Sequence, residues 1–338
     1  MQESPRHLIR LEDLERDVLD DVLDLAERLR RRAGRGELSA RTVGMLFFRG
    51  SLRTRASLEV AVQQMGGHTV ELTANSDFWV LEEREGSAMD GRAPEHVRDA
   101  AAVLSSYVDA LAIRPANDER TWDLARQDAQ IGAWARHARV PVINMESALW
   151  HPLQALADVF TLRRALGELK GKRLALCWVH SPTAASPAVA HSLVHAALRM
   201  GMHVGVAHPP GFELDARVLE QASELASAHG GELQTGLDRN EAAEGAHVVY
   251  ARSWSSLESW GNPTLEASQR GRLREWTVDG DLLARGEEAR VMHAMPIRRN
   301  VEITDAVLDG PHSLVYEQAE NRLHTQKALL SLLIGEQN

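Results

Sequence analysis

At 338 residues the chain exceeds the usual size of a single hydrophobic core, and its 44% hydrophobic and 25% charged residues exclude disordered and fibrous classes. A formal net charge of -10 argues against general affinity for nucleic acid or anionic membrane and points to small-molecule partners, while leaving room for a locally positive pocket for an anion. Cys177, the one cysteine, has no partner for an internal disulfide and reads as a small buried hydrophobe in a reducing compartment.

Residues 1–6 lack a basic region followed by an apolar core, and no apolar run approaches ~18 residues, so a cytoplasmic protein is expected. From Leu11 to Arg32, Leu19, Val22, Leu23, Leu25, Ala26 and Leu29 recur at helical spacing, with Gly34 and Gly36 as the stop. Thr42–Phe48 is an apolar run of strand length, followed after a short polar turn by a helix from Thr54 to Met65 that Gly66-Gly67 closes. His68–Leu72 reads as a strand, Glu95–Val108 as a helix, and Asp109–Ile113 and Val140–Asn144 as strands. A long helix from His151 to about Leu166 leads out of this unit.

The alternation then restarts with strand Arg173–Val179, helix Ala188–Met200, strand His203–Ala207, helix Ala216–Ala228 and strand Val248–Tyr250. Trp254–Leu273, rich in serine, glycine and polar residues, reads as a functional loop. Val291–His293 and Ser313–Tyr316 look like later strands, and Gln318–Gly335 like a closing helix. Repeated β-then-α order predicts an α/β protein of two domains, each with a central parallel sheet flanked by helices. The expected division is 1–150, completed by the helix 318–338 packing back on it, and 151–317.

Ser51-Leu52-Arg53-Thr54-Arg55 falls where a strand feeds a helix N-terminus. Unpaired amides and a partial positive charge at such a terminus hold phosphate, with hydroxyls from Ser51 and Thr54 and the planar fork of Arg53 as further donors. Spacing alone equally allows Ser51 to cap the helix while Arg53 and Arg55 are solvated charges. The longer string Phe47-Phe48-Arg49-Gly50-Ser51-Leu52-Arg53-Thr54-Arg55-Ala56-Ser57-Leu58-Glu59 closely resembles the carbamoyl phosphate signature of the aspartate and ornithine carbamoyltransferase family. The resemblance continues through Arg114, His151-Pro152-Leu153-Gln154 and His293-Ala294-Met295-Pro296. Within the family it is nearest the N-acetylornithine and N-succinylornithine enzymes, on Asn144-Met145-Glu146, Arg252-Ser253-Trp254, Pro296–Val301 and Glu320–Ala328.

That resemblance implies that Ser51, Leu52, Arg53, Thr54 and Arg114 hold the phosphate, with Thr54, Arg114 and His151 also reaching the carbonyl oxygen and Gln154 orienting the carbamoyl amine. Arg53, Thr54, Arg114, His151 and Gln154 form the implied catalytic set. Arg322, Ala294 and Met295 join the carbamoyl phosphate site, and Trp79 matches an aromatic that a neighbouring subunit of a homotrimer inserts. Glu146, Arg252, Met295, Pro94 and Arg298 match acceptor-binding positions. No metal or organic cofactor is required, because fixed cations and backbone dipoles can stabilise the developing oxyanion.

Three positions depart from the family pattern. Arg252 stands where the relatives usually have lysine, Ala294 where ornithine-type enzymes have cysteine, and Glu302 where acetylornithine enzymes have a lysine that can become carboxylated. Glu302 is expected to pair with Arg252 or His293. Pro94 resembles the N-succinyl enzymes, N-acetyl enzymes tending to have glutamate there, and Arg92 nearby could attract a succinyl carboxylate; a first-turn proline of the next helix is the plain alternative. The implied reaction carbamoylates N-succinyl-L-ornithine, or next N-acetyl-L-ornithine, in arginine biosynthesis. Another amine acceptor, or a carbamoyl phosphate-binding protein without turnover, remains open. A nucleotide-dependent oxidoreductase is disfavoured, since no G-x-G-x-x-G follows a strand.

Overall fold

The apolar runs that open each α/β repeat become the buried strands of two parallel sheets. In the computed structural model, which describes residues 7–31 and 36–335, the chain forms two units. One holds the chain up to Asn117, Gln127–Leu156 and the residues from Arg322 onward; the other holds Asp118–Arg126 and Ala157–Asn321.

In the first unit the expected opening helix is broken in two. A 3-10 turn at Leu11–Asp13 precedes the helix Arg16–Arg31. The Asp13 carboxylate accepts the N–H groups of Ile9 (2.7 Å) and Arg10 (3.0 Å), a local bond that competes with continuous helix. Leu19, Val22, Leu23, Ala26 and Leu29 form the buried stripe. Gly34 lies outside the described residues, and Gly36 takes a left-handed φ of +91°.

The strands of this unit are β1 (Thr42–Phe47), β2 (His68–Thr73), β3 (Leu81–Glu82), β4 (Glu95–His96), β5 (Ala110–Arg114) and β6 (Val142–Asn144). The main sheet runs β2-β1-β5-β6, all parallel, and β3 and β4 form a separate parallel pair. Between β1 and β2 the helix Arg53–Gln64 ends at Gly66, whose φ of +84° an L side chain rarely adopts. The helix expected from Glu95 is shorter, Val97–Leu104, because Glu95 and His96 pair with β3 and the His96 ring accepts the Arg98 N–H as its cap. The short helix Ala129–His137, and Trp122–Ala125 in the second unit, were not expected; each is too brief to display a helical period.

The second unit carries β7 (Arg173–Trp178), β8 (His203–Ala207), β9 (Glu232–Leu237), β10 (Val248–Arg252) and β11 (Arg290–Met292), ordered β11-β10-β7-β8-β9 and all parallel. β9 has no apolar signature because it is an edge strand, largely exposed along Glu-Leu-Gln-Thr-Gly-Leu. Ser313–Tyr316 is not a strand. Ser313 makes one isolated bridge to Val291, and Val315 already starts the closing helix Val315–Ile334. The serine-rich stretch 254–273 contains the helix Pro263–Arg270, opened by the Asn262 side chain accepting the Leu265 N–H. Short helices at Arg239–Ala243, Gly280–Leu283 and Asp305–Leu308 were likewise unforeseen.

Cys177 is buried in the core of this unit beside Ala175, Val249 and Ala251, and burial pushes its thiol up to about 12, leaving it unreactive. In the same unit the Asp158 carboxylate accepts from the Tyr250 hydroxyl (3.0 Å) and from Gln318 Nε2 (2.7 Å), all three residues being fully buried. No helix of the described residues is long and apolar enough to cross a membrane.

Candidate active site

In the first unit the strand order reverses between β1 and β5, and α/β sheets bind ligands beyond the carboxyl ends of the strands at such a point. β1 runs through Phe48-Arg49-Gly50-Ser51 into the helix Arg53–Gln64, while β5 ends at Arg114, the register partner of Phe47. Topology therefore gathers the serine-arginine-threonine turn and Arg114 at one crevice. The cap position of the helix is Leu52, 77% exposed, and no side chain bonds to the first-turn amides from it. Capping by Ser51 is thus not realised, and the helix start keeps its anion-attracting amides and dipole. Arg55 points elsewhere: it pairs with Glu71 and stacks 4.3 Å from the centre of the Phe47 ring.

Arg322, delivered by the closing helix, gathers three further predicted residues. Its guanidinium donates to Thr54 Oγ1 at 3.0 Å, to Gln154 Oε1 at 2.8 Å and to His151 Nε2 at 3.2 Å. All four side chains are buried. His151 immediately precedes Pro152, the first residue of the helix Pro152–Leu166, and its carbonyl accepts the Gln154 and Ala155 N–H groups. Burial holds the His151 pKa well below the usual histidine range; Glu146 opposes this, and Arg322, Arg114 and Arg49 reinforce it. A neutral imidazole accepting from a guanidinium at Nε2 carries its proton on Nδ1.

Arg114 donates to the Met145 carbonyl (2.9 Å) and pairs with Glu146 at 2.6 Å. Glu146 is held at φ +104°, a costly angle for a non-glycine residue. The Asn144 side chain accepts its N–H at 3.0 Å, and Arg49 donates to its carbonyl at 2.7 Å. Arg49 also donates to the Pro115 carbonyl at 2.9 Å. Arg49 lies inside the signature string, and its own signal there is a cation just past the carboxyl end of the buried strand β1.

Trp79 is 55% exposed, its indole N–H donating to Glu95 at 2.9 Å. Pro94 is exposed and precedes β4. It lies two residues before the His96 cap, so it is not a first-turn helix proline. Arg92 is exposed in the same segment.

In the second unit the order reverses between β7 and β10, whose ends Trp178 and Arg252 are register partners. Arg252 is 8% exposed; its Nε is buried without a hydrogen-bond partner, and its guanidinium forms no ion pair among the described residues. A buried cation lacking a counter-charge is costly, and an incoming carboxylate relieves that cost.

Beyond β11, His293 Nδ1 accepts the Met295 N–H at 2.9 Å, so its Nε2 carries the proton and faces Glu302 Oε2 at 3.3 Å. The His293 N–H donates to Gln318 at 2.9 Å. Of the two partners expected for Glu302, His293 is the one it meets. The same oxygen accepts the Arg298 N–H at 2.8 Å. Burial pushes the Glu302 pKa up, but bonds from His293, Arg298 and Ser181 outweigh it and hold the carboxyl below its usual range. The Arg298 side chain is exposed and donates to Thr183 at 3.2 Å; Ala294 and Met295 are half-buried. No group of three or more metal-ligating side chains occurs among the described residues.

The family described as aspartate/ornithine carbamoyltransferase, carbamoyl-P binding domain, matches residues 6–164, and its Asp/Orn binding domain matches 171–333. The chain is 38% identical to the N-acetylornithine carbamoyltransferase of Xanthomonas campestris pv. campestris over 336 residues, 98% of this chain and 99% of the relative. It is similar to the crystal structure of an acetylornithine transcarbamylase complexed with acetylcitrulline, with a TM-score of 0.93 at 37% identity over 98% and 99% of the two chains. A glutamate-to-proline mutant of an N-acetyl-L-ornithine transcarbamylase, complexed with carbamyl phosphate and N-succinyl-L-norvaline, matches with a TM-score of 0.92 at 38% identity over 97% and 99%.

Proposed function

The chain belongs to the aspartate/ornithine carbamoyltransferase family, and from that premise we propose that it carbamoylates the side-chain amine of an N-acylated ornithine, with N-succinyl-L-ornithine preferred to N-acetyl-L-ornithine. The observation that carries the reading is Arg252, a buried cation with no counter-charge among the described residues, suited to an acceptor carboxylate. The choice of acyl group rests on Pro94, which has no charge to repel a succinyl carboxylate, with the exposed cation of Arg92 nearby. Mutants of an N-acetyl-L-ornithine transcarbamylase in which one glutamate is replaced by proline, alanine, serine or valine are complexed with N-succinyl-L-norvaline, which supports an uncharged residue as the feature that matters.

The phosphate of carbamoyl phosphate sits at the start of the helix Arg53–Gln64, on Ser51, the Leu52 backbone, Arg53, Thr54 and Arg114. Thr54, Arg114 and His151 turn toward the carbonyl oxygen, where charge builds as the amine attacks. Gln154, whose Oε1 accepts a hydrogen bond from Arg322, orients the carbamoyl amine. The acceptor nitrogen bonds to the carbonyl carbon, the carbon–oxygen bond to phosphate breaks, and the leaving phosphate takes the amine proton. Glu146, Met295 and Arg298 complete the acceptor site, with Ala294 beside Met295 and Glu302 holding His293.

The enzyme works in arginine biosynthesis in the cytoplasm as a homotrimer, the exposed Trp79 of one subunit completing the site of the next. A phosphate-release screen with carbamoyl phosphate tests the acceptor, using ornithine, its N-acetyl and N-succinyl derivatives, putrescine, lysine and diaminopropionate. Turnover restricted to the acylated ornithines is expected, with Pro94→Glu shifting preference from succinyl toward acetyl. Selective activity with unmodified ornithine overturns the reading.

A further inference from the structure

Among the largest fully buried side chains of the second unit is a charged one, Arg270, at the end of the helix Pro263–Arg270. Its guanidinium lies over the adjoining rings of Trp178 (5.4 Å to the centroid) and Phe212 (5.3 Å), which pack against each other 4.7 Å apart. It is bonded to Glu266 one turn earlier, through Nε at 2.9 Å and Nη2 at 2.6 Å. Its remaining bonds go to the segments after the strands: Nη1 to Ser253 Oγ at 2.7 Å and to the Ser181 carbonyl at 3.5 Å, and Nη2 to the Trp254 carbonyl at 2.6 Å. Glu266 accepts the Ser256 N–H at 3.3 Å and the Ser259 hydroxyl at 3.0 Å. A buried ion pair contributes little net stability compared with apolar residues of equal volume, so its value lies in what it fixes.

What it fixes is specific. Ser253 and Trp254 directly follow Arg252, and Ser181 is the residue whose hydroxyl bonds to Glu302, the partner of His293. We propose that the Glu266–Arg270 pair is the positioning element of the acceptor surface, clamping the segment after β10 to the segment after β7 so that Arg252 is held in one orientation. The planar guanidinium suits this task, since one rigid fork reaches a carboxylate, a hydroxyl and two carbonyls on separate segments. The inference rests on the proposed role of Arg252 and deepens it.

The test compares wild type with Glu266→Leu/Arg270→Met, which removes both charges at similar volume and leaves no lone buried ion, and with Arg270→Lys, which keeps the charge but not the fork. Hydrogen exchange of the amides at 253–256 is followed against the rest of the second unit, and KM and kcat are measured with whichever amine wild type carbamoylates. The double variant is expected to remain folded, to exchange faster at 253–256, and to raise the acceptor KM by about tenfold. Its KM for carbamoyl phosphate should stay within about twofold of wild type, and Arg270→Lys should fall between the two enzymes. Unchanged exchange, or an acceptor KM within about twofold of wild type, overturns the proposal. Failure of wild type to use acylated ornithines counts against the acceptor assignment alone, and the exchange result still decides the clamp.

Discussion

Arg322→Met replaces a buried cation by an apolar chain of similar length and strips the donor from three buried acceptors, Thr54 Oγ1, Gln154 Oε1 and His151 Nε2. Each abandoned acceptor costs about 1–3 kcal/mol, while relief of the buried charge returns part of that, so a net stability loss of roughly 2–4 kcal/mol is expected. On the proposed placement of Arg322 in the carbamoyl phosphate site, loss of its fixed positive charge should lower kcat by about 10² to 10³ fold, the scale of one removed oxyanion donor. The variant also alters the pH profile. Burial and then the neighbouring arginines keep the His151 pKa below its ordinary 6.5. Stability tied to that neutral histidine is therefore present above the unfolded value and lost as pH falls through the lower folded value. Removing Arg322 lets the folded pKa rise, so the acid limb of activity should move to higher pH. Phosphate-release kinetics across pH and denaturant unfolding measure these effects. A kcat within about threefold of wild type with an unmoved acid limb would refute the assignment of Arg322 to the carbamoyl phosphate site.

Arg252→Met should raise the acceptor KM by about 10- to 100-fold, the worth of one charged hydrogen bond, without changing carbamoyl phosphate binding; steady-state kinetics with each substrate varied decides this. Glu302→Gln should weaken the hold on His293 and raise the acceptor KM. Because the folded carboxyl titrates below its usual range, the stability it contributes is present above the unfolded value and lost as pH falls through the folded one, so unfolding curves of wild type and variant should converge in acid. Tyr250→Phe leaves Asp158 with one donor fewer in a fully buried site and should destabilise by about 1–3 kcal/mol, read by denaturant unfolding, with KM values unchanged.

The central strands were legible because buried parallel strands are continuous apolar runs bounded by turns, as in Thr42–Phe47 and Arg173–Trp178. β9 escaped because an exposed edge strand has no such run, and Ser313–Tyr316 misled because a short apolar stretch starts a helix as readily as a strand. Ser51, Arg53 and Thr54 stand where a strand feeds a helix start, which spacing alone makes a candidate phosphate turn, whereas His151 and Gln154 enter only through the resemblance to the family signature. The convergence of Thr54 and Gln154 on Arg322 could not be read from either, because residues 54, 154 and 322 are joined only by the folded topology. Arg270 was hidden for a different reason: an arginine in a polar, serine-rich stretch reads as solvated, and only the rings of Trp178 and Phe212 reveal its burial.

Calorimetric titration of carbamoyl phosphate into wild type and Arg53→Ala tests the phosphate site most directly. Saturable binding to wild type is predicted, weakened at least about tenfold in a variant that unfolds like wild type, the loss expected for one charge-assisted contact to phosphate. Equal binding by the two proteins, or none by wild type, would contradict an anion held at the start of the helix Arg53–Gln64.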